Sequence, residues 1–310
     1  MLKATVGHEV WLVQQPHHAQ VSGYLAAHWG GVNGFARPGA YPGATDPARW
    51  RDEVVLGIAE HDNGWWETEA MPRISDRDGL PVGVGEAAAP SDANEFTPWI
   101  SAGLDRWRLG IGRLERQHPY AALLVSLHAY WLYGVSFADL AHAGEPFRHF
   151  VFGGADVAPG LVPDPVATRA FLEEMEETQS VLRARISDEP ALAGAIEPEH
   201  LSPHVRLLQL LDSMSLYLAL NDTGVHELPG VARSSWEDRC TITWRRRDAG
   251  TIELDPYPFD VDGLRVSLPA RVVEGGTMRP GESPISCLHA AAVRSLDFVF
   301  VSAHGPLGQG

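Results

Sequence analysis

Residues 51–66 read Arg51-Asp52-Glu53-Val54-Val55-Leu56-Gly57-Ile58-Ala59-Glu60-His61-Asp62-Asn63-Gly64-Trp65-Trp66. They set a histidine and an aspartate side by side at the end of an apolar-striped helix. Thr45 or Asp46 can cap the start of that helix, and Pro47 suits its first position, where the missing N–H is not needed. Val54, Ile58, His61 or Asp62, and Trp65 recur at three- and four-residue spacing, so one helix face turns toward a core. Gly64 can release the helix just after the pair. A carboxylate on such a face is costly to bury unless charge or hydrogen bonds compensate it. The pair therefore points to a metal, and the rest of the chain has to supply the other ligands.

The same logic applied along the chain finds further polar residues on apolar stripes. A helix over 17–29 carries His18 in line with Val21, Leu25 and Trp29, and Gly30-Gly31 stops it. Residues 94–117 form a third helix. A strongly apolar fourth helix over 119–141 holds His128 among Leu124, Val125 and Leu132. A long charged helix follows over 164–186, and then a Leu-rich one over 202–220, with Ser202 as cap and Pro203 at its first position, carries Asp212. Two histidines and two aspartates on separate converging helices, with His128 beside them, are the N/O donors preferred by Fe, Mn, Zn or Ni rather than by thiolate chemistry. One or two divalent ions held there would account for carboxylates on apolar faces, activate a water and orient a phosphate or carbonyl oxygen.

Residues 70–94 are interrupted by Pro72, Gly79, Pro81, Gly83, Gly85 and Pro90 and read as a long loop of the lid or binding kind. From about 229 the residue choice turns strand-like, at 241–244, 251–254, 264–268, 270–273 and 296–301. The expected fold is mainly α, a helical bundle with a small antiparallel sheet appended at the C-terminus. A helical metal-binding body spans 1–228 with a strand at 9–15, a β-rich extension spans 229–304, and 305–310 is a disordered tail.

Composition narrows the function classes. The formal net charge is −16, from 40 acidic and 24 basic residues. Such a surface repels a polyphosphate backbone and argues against nucleic-acid binding. No apolar run approaches the length of a membrane span, and the opening residues lack the apolar region of a secretory signal. The two cysteines, Cys240 and Cys287, support neither a disulfide framework nor a cysteine-built zinc site, so a cytoplasmic setting is expected. Oligomerisation stays open. The absence of a Walker loop and of a nucleophile elbow leaves the His/Asp set as the chemistry on offer.

The order His18, His61-Asp62, Asp212 on separate helices resembles the H…HD…D signature of the HD-domain superfamily of metal-dependent phosphohydrolases. That resemblance implies one metal bound by the first His, the His-Asp pair and the last Asp, with His128 completing a second metal site. The separation of Asp62 from Asp212 is longer than that pattern usually shows, and a Glu of 173–177 is the alternative fourth ligand. More closely, Gln15-Pro-His-His-Ala, Glu60-His-Asp-Asn-Gly-Trp, Pro119-Tyr-Ala-Ala-Leu-Leu-Val-Ser-Leu-His, Leu211-Asp-Ser-Met-Ser-Leu and Pro256-Tyr-Pro-Phe resemble an uncharacterised bacterial family, domain of unknown function thirty-eight ninety-one. That likeness covers most of residues 8–270 and implies no known activity.

Around the metal set, Gln15 and Asn63 are neutral hydrogen bonders. Trp65 and Trp66 can wall a pocket or fill a helix end, and Tyr120 can touch a ligand or pack near the start of its helix. Asp62 and Glu67 are the candidate proton carriers, Glu67 having a surface role as its alternative. Three readings follow: a metal-dependent hydrolase acting on the phosphoester of a small molecule or nucleotide, an HD-type di-iron oxygenase, and a non-catalytic binding protein with a structural His/Asp network.

Overall fold

A computed structural model of the chain describes residues 1–75, 78–83, 93–135, 137, 147–152, 164–275 and 283–305, with the side chains of 93–102 and 284 left aside. The chain begins with two short strands, β1 (Leu2–Val6) and β2 (Glu9–Val13), and enters helix α1 (Gln15–Ala27). Helix α2 (Pro47–Ala59) is capped by Asp46, whose carboxylate accepts the Arg49 N–H, with Pro47 at the first position. A 3₁₀ turn (Asn63–Trp65) and a short α3 (Trp66–Ala70) follow. Then come α4 (Ala93–Leu114), α5 (Pro119–Gly134), α6 (Pro165–Asp188) and α7 (Pro198–Ala219). The C-terminal part holds β3 (Val225–Ala232), β4 (Arg239–Arg246), β5 (Thr251–Asp255), β6 (Leu264–Glu274), α8 (Pro284–Ala290) and β7 (Ala292–Ser302).

The expectation of a mainly α bundle with a small antiparallel sheet appended at its C-terminus is overturned. The strands form one mixed seven-stranded sheet in the order β1-β2-β6-β7-β5-β4-β3, with β5 and β7 parallel. The two ends of the chain build it jointly, because β2 pairs antiparallel with β6 from Glu9↔Glu274 to Leu12↔Arg271. Strand β1, Leu2-Lys-Ala-Thr-Val6, alternates apolar and polar residues but is only five residues long, and strand pairing is a non-local property. Strands expected at 264–268 and 270–273 are one strand, β6, running through Pro269. At Pro269 the β2 partners have not yet begun, so the missing N–H removes no ladder bond on that side.

One face of the sheet is apolar. Leu264, Val266, Leu268, Ala270 and Val272 of β6 alternate inward, joined by Phe298 and Phe300 of β7 and Ile252 and Leu254 of β5. Helix α7 is buried along almost its whole length and packs against β1 and β3 as well as α1, α2 and α5. It starts at Pro198 rather than at 202, so Pro203 lies inside it. Helix α2 packs on α1, α5 and α7, and α7 also packs on α1 and α5, with α4 and α6 covering α5. Helix α5 ends at Gly134, short of 141. The loop expected over 70–94 falls partly outside the described residues (76–77, 84–92), as do 306–310 of the expected tail. Among the described residues no helix is long and apolar enough to cross a membrane.

Candidate metal centre

Four elements bring the polar residues together. His18 lies on α1, His128 on α5 and Asp212 on α7, with exposures of 1–3%. His61 and Asp62 do not close α2 as its last residues. The helix ends at Ala59 and the pair occupies the turn before the 3₁₀ segment. Nor does Gly64 serve as a left-handed terminator, since its φ is not positive. Its role is close approach: a Cβ there would meet the backbone of α4 at Arg106.

Backbone and hydroxyl partners assign the proton on each ring. His61 Nδ1–H donates to the Ile58 carbonyl at 2.8 Å, so Nε2 is the nitrogen turned toward the cluster. Ser215 donates its hydroxyl proton to the Asp212 backbone carbonyl at 2.8 Å, and its oxygen accepts His18 Nδ1–H at 2.9 Å. His18 Nε2 meets Asp62 Oδ2 at hydrogen-bond distance, 3.0 Å. His61 Nε2 lies 3.7 Å from Asp62 Oδ2 and 3.5 Å from Asp212 Oδ1. His128 Nε2 is 3.3 Å from Asp212 Oδ2.

Asp212 carries the field of this cluster. Burial alone would raise its pKa, but charge on His61 and hydrogen bonds from His128 and His149 hold it well below the usual carboxylate range. Burial likewise works against charge on His61. The attraction of Asp62 and Asp212, with the Ile58 carbonyl, overcomes it and lifts His61 to about 9. His128 goes the other way, pushed down to about 4 by burial against the partial opposition of Asp212.

These residues fit a metal ion. Oδ1 of Asp212 is buried without a hydrogen-bond partner, with His61 Nε2 at 3.5 Å and His18 Nδ1 at 3.6 Å, a costly state for a carboxylate oxygen that a cation would relieve. Ligand atoms of His18, His61 and Asp62 lie within 4.8 Å of one another, as do those of His61, His128 and Asp212. The buried His/Asp groups can hold a metal ion; neither its identity nor its number follows from them.

Of the other residues singled out in the sequence, Asn63 is clamped by its amide to the carbonyls of Glu60 and Gly110, at 2.9 and 3.3 Å. Gln15 gives its backbone N–H to Glu69. Trp65 packs edge-on against Trp107, which in turn meets His128 at 5.7 Å, so this pair walls the cluster. Trp66 is half-buried against His17. Glu67 is not brought to the cluster: it is exposed and ion-paired with Arg113, its pKa lowered by its own backbone N–H and then by Arg113. Tyr120 is fully buried, with its hydroxyl 2.7 Å from His204 Nδ1. The Glu run at 173–177 supplies no cluster member, and Glu174 instead pairs with Arg108.

Sequence reasoning missed His149, which meets Asp212 Oδ2 at 3.0 Å. It lies outside any helix, where no periodicity marks it. It also missed Arg106, a buried guanidinium over the Trp65 ring that feels the charges of Glu69 and Asp62. His200 and His204 could have been found, since they precede Asp212 on one stripe at four-residue spacing.

Comparison with known proteins finds one family model, described as Protein of unknown function (DUF3891), matching residues 1–275. No curated protein and no solved structure matches.

Proposed function

Since the chain belongs to the DUF3891 family, whose description names no activity, we propose from the site alone that it is a metal-dependent hydrolase acting on the phosphoester of a small molecule or nucleotide. One observation carries the reading. The Nε2 atoms of His18 and His61 and the carboxylates of Asp62 and Asp212, one oxygen of the latter lacking a hydrogen-bond partner, converge in a buried place from separate elements. His18, His61, Asp62 and Asp212 are the residues that would hold a divalent ion. The resemblance of their order to the H…HD…D pattern supports the same assignment.

A divalent ion there supplies a Lewis acid that acidifies a water and draws a phosphoryl oxygen. The chain provides the rest. Ile58 and Ser215 hold the two imidazoles in the tautomer that presents Nε2. The Asp62 carboxylate takes the proton released by the attacking water. Trp65 and Trp107 exclude bulk water from the His128 side. Arg106, within the field of Asp62, offers a guanidinium suited to a phosphoryl oxygen on a molecule that is otherwise strongly acidic. A cytoplasmic setting belongs to the same proposal.

The test is elemental analysis of the purified chain beside His61→Ala, with hydrolysis of p-nitrophenyl phosphate and a nucleotide panel assayed under added Mn or Ni. Stoichiometric metal lost in the variant, together with metal-stimulated phosphate release, is expected. A metal-free chain that gains no phosphatase or phosphodiesterase activity would refute the reading.

A further inference from the structure

We infer that His149 is a proton-bearing positioning residue for Asp212, and that with it in place the centre takes one divalent ion rather than a pair. The inference rests on the metal reading above and goes beyond it in assigning His149 and the ion count.

His149 has no choice of tautomer. The backbone N–H groups of Val151 and Phe152 both donate to its Nδ1, each at 3.1 Å. A nitrogen that accepts two fixed amide hydrogens carries none of its own, so the proton is on Nε2. That Nε2–H donates to Asp212 Oδ2 at 3.0 Å, with the Ser213 hydroxyl beside it at 3.3 Å. His149 is thus the reverse of His61, whose Nδ1–H is turned to the Ile58 carbonyl and whose Nε2 faces the cluster.

The segment holding His149 is anchored by the helix that carries Asp212. Arg206 of α7 donates to the Arg148 carbonyl at 2.8 Å and to the Pro229 carbonyl at 2.7 Å, and its guanidinium lies 3.7 Å over the Phe150 ring. Gln209 donates to the Phe147 carbonyl. Gln209 follows Arg206 by three residues, and Asp212 and Ser213 follow Gln209 by three and four, on one face of α7. A single face therefore holds both the carboxylate and the loop that supplies its donor.

This arrangement limits the number of ions. The two ligand groups share His61, whose Nδ1–H is spent on Ile58 and whose Nε2 can serve one ion. A second ion near His128 would then rest on His128 Nε2 and Asp212 Oδ2, and the latter already accepts the His149 proton. For His149 to become a ligand through Nε2, its proton would have to move to Nδ1, against two amide hydrogens. Among the described residues the ligand atoms that lie together form two triads, His18–His61–Asp62 and His61–His128–Asp212, and because both draw on His61 Nε2, one ion is served at a time.

Two measurements test this. Long-range ¹H–¹⁵N spectra of the metal-free chain read each histidine tautomer without any variant, and His149 is expected as Nε2–H. Titration with Mn, Ni or Zn, checked by elemental analysis, should give about one equivalent in the wild type and in His128→Ala. In His149→Phe the stoichiometry should stay the same while affinity falls about 10- to 100-fold. In His149→Gln, whose amide can still donate to Asp212, much of that loss should be recovered. Circular dichroism establishes that each variant is folded. Two ions in the wild type with one in His128→Ala would overturn the inference and leave the metal reading standing, as would an Nδ1–H tautomer at His149. No ion in any form would overturn both.

Discussion

Gly64 and Arg106 meet backbone to backbone: a Cβ on Gly64 would lie 1.9 Å from the Arg106 carbonyl oxygen and 3.1 Å from the Gly110 nitrogen. The turn holding His61 and Asp62 is therefore pressed onto α4 with no room for a methyl group. Gly64→Ala has to push two backbones apart, at a cost of about 1–3 kcal/mol or more. Gly112, exposed on the same helix with nothing within 4 Å of its Cβ position, is the control. Gly112→Ala should be stabilising by about 0.5–1 kcal/mol through helix propensity. Urea unfolding of the two variants should shift the midpoint in opposite directions, and equal shifts would contradict the close packing.

Glu53 is fully buried at the start of α5. Its Oε1 takes Arg49 at 2.8 Å and His118 at 3.0 Å, and its Oε2 accepts the Ala121 N–H at 2.9 Å. It is at once an ion-pair partner and the N-terminal acceptor for α5. Arg49 and His118 are partly exposed, so water can recover part of their hydration once the carboxylate is gone. Glu53→Ala is therefore expected near the lower end of the ~3–5 kcal/mol typical of breaking a buried pair. Glu53→Gln, which keeps an oxygen for Ala121, should lose less. A Glu53→Ala loss under about 1 kcal/mol by denaturant melts would refute the assignment.

His204 gives stability a pH dependence of defined sign. It accepts the Gly39 N–H at 3.0 Å and meets Tyr120 at 2.7 Å, and burial, followed by nearby His200, takes its pKa down to about 3. Unfolded, a histidine titrates near 6.5, so between about 6.5 and 3 the unfolded chain binds the extra proton and stability rises with pH. The contribution is complete above the unfolded value and is lost as pH falls toward the folded one, with a slope of up to about 1.4 kcal/mol per pH unit. Unfolding free energies at pH 7 and pH 5 should differ more in the wild type than in His204→Gln. Identical slopes would place the acid sensitivity elsewhere.

Metal removal should show as lost stability. An ion bound by the folded chain alone contributes about 2.7 kcal/mol at a free concentration of a hundred times Kd. EDTA treatment of a loaded sample should lower Tm by several degrees, with the loss reversed on adding the ion back. In His61→Ala, Tm should not respond to either step. A variant that responds like the wild type would remove His61 from the ligand set.

How much of this was legible in the sequence differs residue by residue. The positions of α2, α5 and α6 follow from Pro47, Pro119 and Pro165 at helix starts and from apolar spacing behind them. Strand β1 did not stand out, and β3 was obscured by Pro229 and Gly230 at its bulge. Glu67, adjacent to the motif in sequence, points to Arg113 at the surface, because proximity along the chain does not set side-chain direction.

By itself, the sequence determined that His18, His128, Asp212 and one of His61 or Asp62 would face inward; that both of the pair are buried, in the turn after α2, was decided by the tertiary structure. A polar residue on an apolar stripe is a local, periodic signal that survives without knowledge of the partners. What only the tertiary structure decided is the proton pattern among them and the sheet that closes the chain. The tautomers of His18 and His61 depend on Ser215 and Ile58, and that of His149 on two loop amides. The pairing of β2 with β6 joins the two ends of the chain. Hydrogen bonds to backbone atoms and ladders between distant strands are set by position in space, and no spacing of residue types records them.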